Sequence, residues 1–251
     1  MDRRYWEEKG RAYDAEIFDV YAEDRKGVVA AAIRRTLRKS DRAADLGCGT
    51  GKALPLLAPR ALSVEAVDLS ESCLRKARHF ADAWKNITFR RADLARERVS
   101  GRLDFVLNVN VLIMPDAGVR QAILRHIAVR LKRGGRLLLV VPSLESSLWV
   151  ARRLYDWELK DGRTPAQARR GVQRLLGDRF RVGLADGLVP IDGVPTKHFL
   201  APELSSVLAA VGLELRGLEK VEYAWRTEFE DPPSWMRAPY PWDWLVRAVR
   251  V

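Results

Sequence analysis

Residues 42–54 read Arg-Ala-Ala-Asp-Leu-Gly-Cys-Gly-Thr-Gly-Lys-Ala-Leu. A short apolar run closes at Asp45, Gly47, Gly49 and Gly51 follow at alternate positions, and an apolar pattern then resumes. That order predicts a strand, a tight turn and a helix. Glycine reaches positive φ without steric cost and, lacking Cβ, lets a ligand lie against the main chain, so such a turn is a seat for a cofactor. A dinucleotide site would carry its third glycine three residues beyond the second, where the chain has Lys52, and a phosphate loop would follow Gly51-Lys52 with Ser or Thr, where it has Ala53. Both pyrophosphate readings are therefore weak.

Upstream, Tyr5, Trp6, Tyr13, Phe18 and Tyr21 precede Val28, Val29, Ile33 and Leu37 at helical spacing, which predicts two helices leading into the first strand. Downstream, strands are predicted at 61–69, 87–91, 103–111 and 136–141, with helices at 53–57, 71–84 (capped by Ser70) and 119–131 between them. Strands apolar on both faces that alternate with helices indicate a parallel sheet covered on both sides. The alternation stops over 144–199, which carries helical stretches at 146–159 and 165–176 and then a Gly-, Pro- and Asp-rich passage. A helix at 202–211, a sixth strand at 213–225 and a seventh at 244–251, placed at the sheet edge, complete the pattern. The expected organisation is a cofactor-binding part at 1–143, a helical cap at 144–199 and the completion of the first unit at 200–251.

Asp45, Asp68 and Asp93 fall at the ends of the first three strands. In an open parallel sheet the ligand crevice lies outside the carboxyl ends of the strands, so all three point into one cleft. A carboxylate after the second strand suits two ribose hydroxyls, because it offers paired acceptors. A nucleoside-bearing cofactor follows.

With these residues in view, the chain resembles the class I S-adenosylmethionine-dependent methyltransferases. Asp45–Gly51 matches the first motif of that family, Val67-Asp68-Leu69-Ser70 its acidic motif, Ala92-Asp93-Leu94 its adenine-contacting motif, and 131–140 its approach to the fifth strand. The resemblance implies an α/β, doubly wound, mostly parallel seven-stranded Rossmann-like sheet with a helical cap, S-adenosylmethionine as cofactor and S-adenosylhomocysteine as product. It implies that Gly47, Cys48, Gly49 and Gly51 pass beneath the methionine part, with Asp45 near its ammonium. Asp68 would hold the ribose, Leu69 and Leu94 would flank the adenine, and Asp93 would accept from its amine. Asn108, Val109 and Asn110 would line the place where donor and acceptor meet.

Methyl transfer from a sulfonium needs alignment more than acid–base chemistry. For an acceptor that must lose a proton, Tyr13, Tyr21 and His198 are the candidate bases. Trp149, Phe229, Trp235 and Trp242 belong to the cap and to an aromatic, Pro-rich connection before the last strand, and the expected substrate is a small organic molecule in a pocket that they wall, with Asn110 among its contacts. A net charge of +11 keeps RNA open as an alternative acceptor, although the arginines are spread rather than clustered. A non-catalytic, cofactor-binding role also stays open, as does contact of the C-terminal Trp- and Arg-containing stretch with a membrane interface. Two cysteines and three scattered histidines give no metal-site spacing. No stretch approaches the roughly 18 apolar residues of a membrane span, and the first residues lack a signal-peptide core, so the expected location is the cytoplasm.

Overall fold

The computed structural model describes residues 3–11, 17–97, 101–181 and 185–251. Three helices come first: α1 (Arg3–Arg11), α2 (Val20–Glu23) and α3 (Val28–Thr36). The alternating region follows as β1 (Arg42–Leu46), α4 (Leu54–Leu57), β2 (Ser63–Asp68), α5 (Glu71–Phe80), β3 (Ile87–Arg91), β4 (Leu103–Val109), α6 (Ala117–Arg130) and β5 (Leu131–Pro142). Next come α7 (Leu144–Lys160), α8 (Pro165–Arg181), β6 (Leu188–Ile191), β7 (Val194–Lys197), α9 (Ala201–Ala209), β8 (Leu213–Glu222) and β9 (Trp242–Arg250).

Seven strands form one sheet in the order β3-β2-β1-β4-β5-β9-β8. β3, β2, β1, β4 and β5 pair in parallel, whereas β9 runs antiparallel to both β5 and β8. The final strand, expected at the sheet edge, therefore lies inside the sheet, and β8 takes the edge instead. Burial explains the exchange: Leu245 and Val246 are fully buried on opposite faces, while β8 exposes Glu214, Arg216 and Lys220.

Two cores lie on the two faces. On one, Ile123, Leu124 and Ile127 of α6 and Leu204 and Leu208 of α9 pack against Leu137, Leu139 and Val141. On the other, Val29 and Ile33 of α3, Leu54 and Leu57 of α4 and Leu74 of α5 pack against Leu138 and Val140. The uninterrupted apolar run of β5 is thus read alternately by both cores, as a strand covered on two sides requires.

The segment after β5 leaves and re-enters the fold at one point. Leu144 N–H donates to the Phe199 carbonyl (3.1 Å) and Phe199 N–H to that of Pro142 (2.8 Å). Its Gly/Pro/Asp passage, which reads as irregular in sequence, folds as a β6–β7 hairpin with Ile191 opposite Val194. Asp192 and Gly193 make the two-residue turn with φ of +50° and +76°, the backbone that Asp-Gly favours. Among the described residues no helix is long and apolar enough to cross a membrane.

Candidate active site

A cavity of about 560 Å³ opens at the carboxyl ends of β1–β4. Its floor is the turn after β1. The N–H groups of Gly47 and Cys48 both donate to the Val67 carbonyl, at 2.7 and 2.9 Å, which draws the turn against the end of β2. Gly47 has φ of +88°, and a Cβ there would lie 2.1 Å from Val111 Cγ2. Gly49 and Gly51 lie outside the lining: Gly49 N–H donates to Asp68 Oδ2 (2.8 Å), and a Cβ at Gly51 would press on Leu54 and Ala77. One glycine thus clears the cavity floor, the second anchors the turn and the third lets α5 approach.

Asp68 receives a second hydrogen bond, from Ser70 N–H (2.9 Å). Desolvation raises its pKa, against the lowering effect of these backbone donors. Asp45 is buried, and desolvation together with the charge of Asp68 pushes its carboxyl up to about 7. Asp93 lies on the same wall, its Oδ1 accepting from Ala95 N–H (2.9 Å) and its Oδ2 3.8 Å from Arg96. Leu69 and Leu94 add apolar surface, and Cys48, Val109, Asn110 and Tyr21 also face the cavity. Burial pushes the Cys48 thiol far up, so it stays protonated. Asn108 is fully buried behind the wall, with Nδ2 donating to the Leu46 carbonyl.

The roof comes from places the sequence marked only loosely. Arg3 and Trp6 of α1 line the cavity, and Glu7 docks that helix by accepting from Glu71 N–H (2.8 Å) and Ser72 N–H (3.2 Å), the open end of α5. A carboxylate capping a helix start from a distant segment satisfies the same donors as a local cap. The Lys52–Asp19 ion pair (2.7 Å) ties the turn to the segment before α2, and Ile191 and Thr196 bring the β6–β7 hairpin to the rim.

Four expected pocket aromatics lie elsewhere. Phe229 stacks on Trp225 (5.8 Å between rings), edge-on to Trp157, within a separate cluster that joins α7 and α8 to the loop before β9. Trp149 donates to the Pro239 carbonyl (2.8 Å), and the Arg153 guanidinium lies 5.0 Å from the Trp235 ring. Trp242 packs into the sheet core beside Trp244. The loop reaches the cavity end of the sheet, as an antiparallel last strand requires, but its rings turn toward Val150, Leu154 and Leu176 of α7 and α8, and neither of these helices, expected to cap the site, lines the cavity. His198 is likewise buried outside the lining, its Nδ1 3.0 Å from the Thr196 carbonyl. Tyr13 falls outside the described residues.

The donor set fits an S-adenosyl cofactor. Asp68 keeps lone pairs beyond those its two N–H donors occupy, enough to accept from a pair of hydroxyls. Asp45, desolvated among protein atoms, is stabilised as a carboxylate by a cation placed beside it. Thr50 Oγ1 and Asn110 Oδ1 are buried without a protein partner, and both residues line the cavity. Among the described residues no cluster of His, Cys, Asp and Glu is arranged to hold a metal ion.

Residues 43–135 match the family described as a methyltransferase domain. Among curated proteins no sequence matches the chain. Similar solved structures include a SAM-dependent methyltransferase of Methanosarcina mazei at 22% identity (TM-score 0.60, covering 88% of this chain and 97% of that one). The magnesium protoporphyrin IX methyltransferase of Synechocystis, solved with S-adenosylhomocysteine, is 17% identical over 100% of both chains (TM-score 0.62). The N-methyltransferase NodS of Bradyrhizobium japonicum, also with S-adenosylhomocysteine, is 12% identical over 99% of each chain (TM-score 0.62). The chain thus has the fold of the class I S-adenosylmethionine-dependent methyltransferases, and its residues 43–135 match a methyltransferase domain.

Proposed function

We propose that the protein transfers a methyl group from S-adenosylmethionine to a small organic molecule held in the cavity above Asp45, Asp68 and Asn110. The observation that carries this reading is the convergence of three carboxylates from adjacent parallel strands on one cavity, roofed by α1 and the hairpin. Asp68 would hold the ribose hydroxyls, Leu69 and Leu94 the faces of the adenine, Asp93 its amine, and Asp45 the ammonium. When bound, the cofactor supplies a methyl group already activated on sulfur. The remaining work of the protein is to align the acceptor and exclude water. Trp6, Phe18 and Tyr21 provide aromatic surface toward the acceptor, and Ile191 closes the rim. Enclosure by α1 and the hairpin suits a compact acceptor better than a nucleic-acid strand, and the fold is shared with enzymes described as a magnesium protoporphyrin IX methyltransferase and an N-methyltransferase.

The test is a radiolabelled methyl-transfer assay with S-adenosylmethionine, a panel of small amines, phenols and carboxylic acids, bulk tRNA, and a protein extract. Label is expected in one or more small molecules. Label confined to tRNA or protein refutes the acceptor class. No label in any fraction, with S-adenosylhomocysteine still bound, points to the non-catalytic alternative.

A further inference from the structure

Cations that lie scattered in the sequence gather at one end of the fold. Parallel strands all start at the same end, and the pairs Arg42–Ser63, Val64–Ile87, Ala43–Phe105 and Leu103–Leu131 set the starts of β1–β5 side by side, opposite the cavity. The chain entering or opening each of these strands carries a cation: Arg38 and Arg42 at β1, Arg60 at β2, Lys85 at β3, Arg102 at β4 and Arg133 at β5. All six are exposed or half-buried, and among the described residues none of them makes an ion pair. The acids of the same region are mostly engaged. Asp41 is buried against Arg136 (2.7 Å) and Asp104 is paired with Lys132 (2.6 Å), which leaves Asp82 exposed. The molecule is thus polarised along its strands, with Asp45, Asp68 and Asp93 at the carboxyl ends and this basic face at the amino ends.

Apolar side chains stand among the cations. Leu62, just before β2, is 58% exposed, Phe80, closing α5, is 55% exposed, and Val129, in the last turn of α6, is 68% exposed. Both helices run back from the carboxyl ends of β2 and β4 to the starts of β3 and β5, so their last turns lie at the amino end of the sheet. Leu62 N–H donates to the Asp41 carbonyl (2.9 Å), and the Val129 carbonyl accepts from Arg250 at the end of β9. One such residue on a surface is ordinary, whereas three beside unpaired cations make an amphipathic face.

We propose that the amino end of the sheet docks the protein on an anionic lipid bilayer. The negative potential of such a surface attracts the cations, and the apolar side chains beside them enter the headgroup boundary. Shape favours a bilayer over nucleic acid. The cations come from five neighbouring strands about 4.8 Å apart and so form a plate roughly 20 Å wide rather than a track along one backbone. Leu62 and Val129 would also find no partner on a row of phosphates. Docked this way, the protein keeps its cavity turned toward water, and the inference stands independently of the methyl-transfer reading.

Vesicle co-sedimentation tests the proposal. Vesicles of phosphatidylserine and phosphatidylcholine in equal parts are expected to bind wild-type protein, phosphatidylcholine vesicles to leave it in solution, and added salt to release it. The triple variant Arg38→Gln, Lys85→Gln, Arg133→Gln is expected to bind the mixed vesicles roughly 100-fold more weakly, about fivefold per cation. Arg169→Gln, Arg170→Gln, Arg174→Gln removes the same charge from exposed positions of α8 and is expected to change binding by no more than about threefold, because screening confines the attraction to cations near the lipid. Leu62→Ser with Val129→Ser, which leaves the charge unchanged, is expected to weaken binding roughly tenfold. An environment-sensitive dye on Leu62→Cys should shift to the blue when mixed vesicles are added, and the same dye on Ile191→Cys, at the cavity rim, should not; Cys48 and Cys73 are buried. No binding to the mixed vesicles, equal binding to both vesicle types, or an Arg38, Lys85 and Arg133 variant that binds as well as the α8 variant overturns the proposal. So does a dye shift at position 191 in place of 62. Transfer RNA that strips the protein from the mixed vesicles at equal phosphate would assign this face to nucleic acid and overturn it too. Every readout works without cofactor, so a failure to bind S-adenosylhomocysteine bears on the site reading alone.

Discussion

Replacing Asp68 tests the proposed ribose contact and the turn at once, because its carboxylate holds the turn and lines the cavity. Oδ2 accepts from Gly49 N–H and Oδ1 from Ser70 N–H, and the lone pairs that remain face the cavity. Hydrogen bonds to a charged group are worth about 1.5–3 kcal/mol each. Asp68→Asn keeps one acceptor oxygen and loses the charge, so S-adenosylhomocysteine binding should weaken roughly 10–150-fold, the equivalent of one such bond. Asp68→Ala would lose both proposed ribose contacts, about 3–6 kcal/mol, and also leaves two loop N–H groups without their acceptor. Its melting temperature should therefore fall along with its affinity. Isothermal titration with adenosine and 2′,3′-dideoxyadenosine separates the two effects: wild type should prefer adenosine, and Asp68→Asn should lose most of that preference. A preference that survives the substitution, or unchanged S-adenosylhomocysteine affinity, would refute the assignment of the ribose to Asp68.

Three further outcomes follow from neighbouring residues. Gly47→Ala places a Cβ 2.1 Å from Val111 Cγ2 at φ of +88°, whereas Gly27→Ala at φ of +62° meets nothing; both should lose about 1–2 kcal/mol from the backbone, but only Gly47→Ala should lose more than that and also weaken S-adenosylhomocysteine binding, as thermal shift and titration would report. For Asp45, the folded pKa of about 7 lies above the unfolded value, so the folded state holds its proton more tightly and stability should decline as pH rises from roughly 4 to 7. Asp45→Asn should flatten that slope in denaturation measured across the range, and wild type should release protons on binding S-adenosylhomocysteine near pH 6.5 in calorimetry with buffers of different ionisation enthalpy. Trp225→Ala and Phe229→Ala open the cluster between α7, α8 and the loop before β9. The first, at a buried ring, should cost about 3–5 kcal/mol in chemical denaturation, with S-adenosylhomocysteine affinity held within about twofold in both.

The parts of this molecule legible in the sequence are those set by local chemistry. Gly47, Gly49 and Gly51 mark a turn because its backbone needs what glycine permits, and Asp45, Asp68 and Asp93 meet because parallel strands bring their carboxyl ends together. Order within the sheet is not local. Trp242–Arg250 is apolar enough for an interior strand, yet only its pairing with β5 shows that it belongs between β5 and β8. The rings of Trp149, Phe229 and Trp235 illustrate a second limit, since an aromatic loop near a cleft serves equally as pocket wall or as satellite core, and α7 and α8 decide for the core. Asp192-Gly193 was a readable hairpin signal inside a passage dominated by its prolines and glycines. The hydrogen bond from the Tyr223 hydroxyl to Asp243 carried no signal, because twenty residues part the two and the β8–β9 pairing brings them together.

The most direct test of the central claim is a crystal structure of the protein with S-adenosylhomocysteine. The ligand should lie in the cavity with its ribose hydroxyls on Asp68, its adenine between Leu69 and Leu94, its ammonium beside Asp45 and its sulfur toward Asn110. S-adenosylhomocysteine bound outside this cavity, or bound within it with the adenine against Asn110, would contradict that claim.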